Sequence, residues 1–289
     1  MELIDVLIPV VLAMTMFGVG TSLEISDFKE IIAKPRLVAL GLGLQMLFLP
    51  ALAFAAGLLL PISNEWKMGI IILSLCPGGA TSNFISYLVE LKTALSISLT
   101  SINSILILFT IPLGVNLAAH LFLNTEASFS LSLAETTANV VFIVLIPVTL
   151  GLLFHRRYPL TSEQFKQPVK ITTTLLLALV FAVKFFSNDE TGSNQISGSD
   201  ILGLGPIMLA FHLISMIGSF VLASRLRSAS YDAITIGIEV GLQNTTLALL
   251  VASVMLGNDK MAEPTLVYAI FSFFTTLAFG YLAKRWVDR

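Results

Sequence analysis

Charge is what this sequence has least of. Only 12% of its 289 residues are Asp, Glu, Lys or Arg, against 56% hydrophobic, where soluble domains carry about 25% charged residues. With a mean hydropathy of +0.91, that scarcity excludes a soluble globular domain and predicts a polytopic membrane protein. The net charge of −2 and the lack of any basic cluster argue against a nucleic-acid partner. Cys76 is the one cysteine, so an intramolecular disulfide framework and a multi-cysteine metal site are both excluded. The three histidines, His120, His155 and His212, lie far apart at no ligand spacing and read as interfacial or packed residues. They fall in or beside the fourth, fifth and seventh predicted spans, away from the polar interruptions described below. An enzyme would need a nucleophile–base pair or a metal constellation, so no catalytic residues are expected. A cleaved leader would show a basic n-region and a small-residue cleavage site. The chain opens with Glu2 and Asp5 instead, which predicts a retained first span.

What the sequence has is long apolar runs. Crossing the hydrocarbon core takes about 20 apolar residues per helix. That length yields nine spans, near 3–22, 36–60, 67–88, 93–122, 131–155, 168–187, 200–224, 231–256 and 262–284, in a single transmembrane domain over 1–289. The links after odd-numbered spans, with the C-terminus, hold thirteen of the 16 Lys and Arg residues. Cationic loops stay in the cytoplasm, so the N-terminus is expected outside and the C-terminus inside a cell (inner) membrane. The link LEISDFKEIIAKPR, with Leu23, Ile25, Phe28, Ile31 and Ile32 set among charges, suits a short helix in the membrane interface.

Two spans are interrupted. The third contains Cys76-Pro77-Gly78-Gly79 followed by Ala80, Thr81, Ser82 and Asn83. Proline removes a backbone donor and glycine loosens the backbone, and such a break is tolerated only against protein or a wet cavity. The eighth carries Glu239, Gly241, Gln243, Asn244, Thr245 and Thr246 in mid-span, and Glu239 is the one acid placed in the interior of a predicted span. An intramembrane carboxylate marks an ion or substrate path. The two spans are five apart, so they cross in opposite directions, and each is third in a run of four. That arrangement predicts an inverted repeat whose broken helices meet at the midplane.

Gln45 in the second span and Ser96 and Thr100 on one face of the fourth add to this polar set. Together with Ser82, Asn83, Glu239 and Gln243 they offer hard oxygen ligands and one negative charge. That chemistry suits an alkali cation, and a single carboxylate favours an exchangeable Na+. MFGVGTSLEISDF, CPGGATSN, ALSISLTS and IEVGLQN, in this order, resemble the bile acid:sodium symporter family in its bacterial nine-helix form. The resemblance implies two Na+ sites. The first would use Ser82, Asn83, Ser96, Thr100 and Glu239; the second Gln45, Glu239 and Gln243 with the carbonyls of Val240 and Leu242. It also implies a core (approximately 36–122 and 200–284) moving against a panel (3–22 and 131–187), with the two broken helices crossing in the core.

The implied activity is sodium-coupled symport of an organic anion by alternating access. The expected substrate is a small monocarboxylate such as pantoate or a keto acid, with bile acids as surrogate ligands. Ala80 and Thr81, at a helix N-terminus that favours anions, and Asn244 would receive it. Thr275 and Thr276 stand where some members have His-Asn, and Ala80 where some have threonine, so specificity is expected to differ there. A proton-coupled carrier or exporter on the same scaffold is the alternative. Membrane lipid is the other expected partner, and no obligate protein partner is expected.

Overall fold

The computed structural model describes residues 34–123, 146–161, 198–226 and 228–289, with single positions between 10 and 21 and between 142 and 175. Most of the predicted first and sixth spans, the start of the fifth and nearly all of the interfacial helix lie outside the described residues. Every named element is helical: α1 Pro35–Leu59, α2 Asn64–Leu75, α3 Ala80–Leu88, α4 Thr93–Phe122, α5 Ile146–Arg157, α6 Gly198–Arg225, α7 Ser230–Gly241, α8 Thr245–Leu249 and α9 Asp259–Val287. A π-helical turn, Leu44–Phe48, interrupts α1, and another, Leu250–Met255, continues α8.

Three of these helices, α1, α6 and α9, are long and apolar enough to cross a membrane unbroken. α4 is a fourth, bent between Ile107 and Phe109. The bend lies four residues before Pro112, which has no N–H to give to the carbonyl of residue 108. In such uniformly apolar helices the inner face is set by small and polar residues. Ser96, Ser98, Thr100, Ser101 and Asn103 of α4 are all buried, while Phe109, Leu113, Leu117 and Leu121 on the same helix are exposed, as a lipid-facing surface requires. One large apolar cluster runs through α1, α2, α4, α6, α7, α8 and α9. A smaller one joins Ile85 and Val89 of α3 to Ile234 and Ile238 of α7. Beside these, Phe17 and Phe154 pack with ring centroids 5.8 Å apart.

Local signals fix where the helices begin. Ser63 accepts the Trp66 N–H at 3.3 Å to start α2, and Asn258 accepts that of Met261 at 3.3 Å to start α9, each satisfying a donor the first turn leaves free. α3 ends through Glu90 at φ 57°, with Leu91 N–H returning to the Ser86 carbonyl at 2.8 Å, the αL closure of a helix C-terminus. The two predicted breaks are present: Cys76–Gly79 separates α2 from α3, and Leu242–Asn244 separates α7 from α8.

Candidate ion site at the meeting of two broken helices

The two breaks meet. Gly78 and Gln243 pair as an isolated antiparallel bridge, and the Asn244 N–H donates to the Pro77 carbonyl at 2.9 Å. Each break thus satisfies part of the other's freed backbone, which lowers the cost of irregular chain at membrane depth. Side chains supply the rest. Gln45 Nε2 donates to the Cys76 carbonyl at 3.0 Å. The Tyr268 hydroxyl donates to the Gly241 carbonyl and accepts the Gln243 N–H at 3.2 Å. Asn244 caps α8 by accepting the Leu247 N–H at 3.1 Å.

Around Glu239 the structure gathers oxygens from three elements. Its carboxylate meets Ser82 Oγ of α3 at 2.8 Å, and Ser96 Oγ and Thr100 Oγ1 of α4 at 2.8 and 2.5 Å. The same hydroxyls face further acceptors. Ser82 lies 2.8 Å from the Gly79 carbonyl, and Ser96 and Thr100 lie 2.8 and 3.2 Å from Asn83 Oδ1. That makes six close oxygen–oxygen contacts, while three hydroxyls carry only one hydrogen each. Protonating Glu239 would add one more, still short of six. A small cation among these oxygens would relieve the shortage. Gly78 belongs to it by having no side chain, since a Cβ there would overlap the Glu239 carboxylate and lie 3.1 Å from Ser82 Oγ.

A second group sits beside the first. Gln45, at the π-helical turn of α1, is 2% exposed, and its Nε2 also donates to Gln243 Oε1 at 2.9 Å. Gln243 Nε2 donates to the Val240 carbonyl at 2.6 Å, and Leu242 is the extended residue between α7 and the bridge. Gln45 Oε1 is buried without a hydrogen-bond partner, and such an orphan acceptor costs about 1–3 kcal/mol unless something else satisfies it. An oxygen aimed at nothing, beside carbonyl groups, fits a cation ligand. Among the described residues no cluster of three or more His, Cys, Asp and Glu offers an alternative metal centre.

The residues read as anion-binding are distributed. Ala80 is the first residue of α3, Thr81 beside it is exposed, and Asn244 lies across from Gly79, with 3.9 Å between its Cβ and an ideal Cβ on that glycine. Thr275 and Thr276 are held by His212, whose Nε2 lies 2.8 and 3.4 Å from their hydroxyls. His212 itself corrects the sequence reading, which placed it away from the breaks. Its Nδ1 is 3.0 Å from the Gly241 carbonyl, at the end of α7, and 3.2 Å from the Tyr268 hydroxyl. The correction has a simple cause: α6 packs on α7 so closely that a Cβ on Gly241 would meet Met216 Cβ at 2.7 Å. Tyr268, also missed, is a tyrosine in an apolar run with no sequence signal of its own.

Comparison with known proteins bears on this geometry. The profile of the Sodium Bile acid symporter family matches residues 9–194. An uncharacterised sodium-dependent transporter of Bacillus subtilis is 29% identical over 96% of this chain and 82% of its own length. A probable chloroplastic sodium/metabolite cotransporter of Arabidopsis thaliana is 27% identical over 90% of this chain, which spans 62% of that protein. The ileal sodium/bile acid cotransporter of Homo sapiens is 23% identical over 93% of this chain and 76% of its own.

Proposed function

Because the chain belongs to the sodium bile acid symporter family, we propose that it is a membrane transporter that couples Na+ movement to uptake of an organic anion. The observation that carries this reading is the Glu239 cage, where six oxygen contacts share three hydroxyl hydrogens. One Na+ is held by Ser82, Asn83, Ser96, Thr100 and Glu239. A second is held by Gln45, Gln243, Glu239 and the carbonyls of Val240 and Leu242, which the unpartnered Gln45 oxygen supports. The first site draws on both broken helices, and the second on the α7–α8 break and on Gln45, which also holds the Cys76 carbonyl, so the ions tie the breaks together. Ordering the breaks fixes the start of α3, where the N–H groups near Ala80 and Thr81, with Asn244 opposite, receive a carboxylate. Ion and anion then bind cooperatively, since each stabilises the arrangement the other needs.

The remaining features follow from that assignment. α1 to α4 and α6 to α9 form a core containing an inverted pair of broken helices, and the first, fifth and sixth spans form the panel it moves against. The nine-span protein sits in the cell membrane with its C-terminus in the cytoplasm. The substrate is a small monocarboxylate of the pantoate or keto-acid type. A thermal-shift screen of organic acids with and without Na+, followed by proteoliposome uptake of each hit, tests this. The expected result is stabilisation that needs Na+ and uptake that follows the Na+ gradient. Uptake that follows a pH gradient and ignores Na+ would replace sodium by protons on the same scaffold.

A further inference from the structure

Glu239, Ser82, Ser96 and Thr100 are all buried, and an ion leaving them needs oxygen ligands along its way. α4 and α7 run side by side in register and show where those lie. The Lys92 N–H, at the start of α4, donates to Thr235 Oγ1 at 3.2 Å. One and two turns further along α4, Ser96 and Thr100 reach Glu239, one turn further along α7. One turn back from Thr235 stands Asp232, on the α7 face that also carries Thr235 and Glu239.

Asp232 is only 6% exposed, and its Oδ1 is buried with no hydrogen-bond partner. Its Oδ2 lies 3.9 Å from Lys34 Nζ. A carboxylate in the first turn of a helix is favoured by the helix dipole, but the dipole gives a sealed oxygen no partner. Lys34 also lines a cavity of about 250 Å³ with Leu91, Lys92, Thr93, Ala94 and Leu95, so it touches both the acid and the open space beside it. A second unpartnered buried oxygen belongs to Ser86, one turn after Ser82 on α3. That part of α3 packs on α7 through Ile85, Val89, Ile234 and Ile238. Spare oxygens therefore continue from the cage toward the end of the core assigned to the cytoplasm.

We propose that Asp232 is a transient cation site between the Glu239 cage and the cytoplasm, and that Lys34 occupies it electrostatically when no ion is passing. The proposal rests on the sodium-coupled reading above. An ion that leaves Glu239 passes Ser86 and Thr235, displaces the Lys34 ammonium from Asp232 and enters the cavity. Lys34 then returns to the carboxylate and disfavours re-entry.

Binding and release of radiolabelled Na+ by the purified full chain test this. Asp232→Asn should leave equilibrium Na+ affinity within about twofold of wild type and slow dissociation about tenfold, because the path loses its intermediate charge. Asp232→Glu should restore the rate, which a merely structural role would not require. In a Glu239→Gln background a weak residual Na+ component should remain, and Lys34→Met should tighten it about threefold or more by removing the competing charge. No saturable Na+ binding by wild type would remove the sodium reading and this proposal together. Tight wild-type binding with normal release from Asp232→Asn, or residual binding indifferent to Lys34→Met, would overturn this proposal alone.

Discussion

At the scale of single residues, the Glu239 cage gives sharp expectations because its members differ in what they supply. Glu239→Gln keeps the shape of the carboxylate and removes its charge, so Na+-dependent thermal stabilisation should fall to a small remnant, with the fold intact. Gly78→Ala should do nearly the same for a steric reason, its Cβ falling on the Glu239 carboxylate, whereas Gly79→Ala meets nothing nearer than 3.9 Å and should behave as wild type. Equal Na+ responses in the two glycine variants would show that the cage does not depend on this close approach. Glu239, Ser82, Asn83, Ser96 and Thr100 were legible in the sequence because a lone acid in an apolar run is costly and the hydroxyls recur at helical spacing. Their grouping into one site came from the family resemblance and not from spacing, since the partners of Glu239 lie 139 to 157 residues away along the chain.

At the scale of elements, the breaks in α2–α3 and α7–α8 are where sequence and structure agree most closely, and where the sequence falls shortest. Pro77-Gly78-Gly79 announces an interrupted helix, because proline cannot donate and glycine does not resist extension. Nothing at Leu242–Asn244 is so explicit, and the groups that satisfy that break come from other helices. Tyr268 and His212 provide two of them. Each is a single amphipathic residue within a long apolar span, and its role emerges only once α6 and α9 pack on α7. Tyr268→Phe deletes the hydroxyl while keeping the ring, leaving the buried Gln243 N–H without its acceptor. The expected cost is about 1–3 kcal/mol, seen as a lower melting temperature, with weaker Na+ stabilisation through the displaced Gln243. An unchanged melting temperature would mean that water or another group takes the hydroxyl's place. Pro77→Ala acts in the opposite sense. It allows α2 to continue, so it should leave expression and melting temperature near wild type and impair uptake. Undiminished uptake would reduce the break to a kink.

At the scale of the whole molecule, the antiparallel meeting of the breaks makes a prediction about sidedness that no single residue carries. The Gly78–Gln243 bridge is antiparallel, as expected if α2–α3 and α7–α8 traverse the core in opposite directions. The distribution of lysine and arginine then sets which end is which. The start of α2 and the start of α9 are expected outside, and the ends of α6 and α9 in the cytoplasm. The chain is well suited to a direct test because its only cysteine, Cys76, is fully buried and Cys76→Ser gives a clean background. Asn64 and Lys260, exposed near the two outer ends, and Arg225 and Arg289, exposed near the two inner ones, serve as reporters. Placed singly as cysteines in intact cells, the first pair should react with a membrane-impermeant maleimide. The second pair should react only after the membrane is opened. Labelling of Asn64→Cys and Arg225→Cys from the same side would break the inverted relation between the two halves. Labelling of all four from the opposite sides would preserve that relation and invert the protein, making the Asp232 end the entrance for sodium instead of its exit.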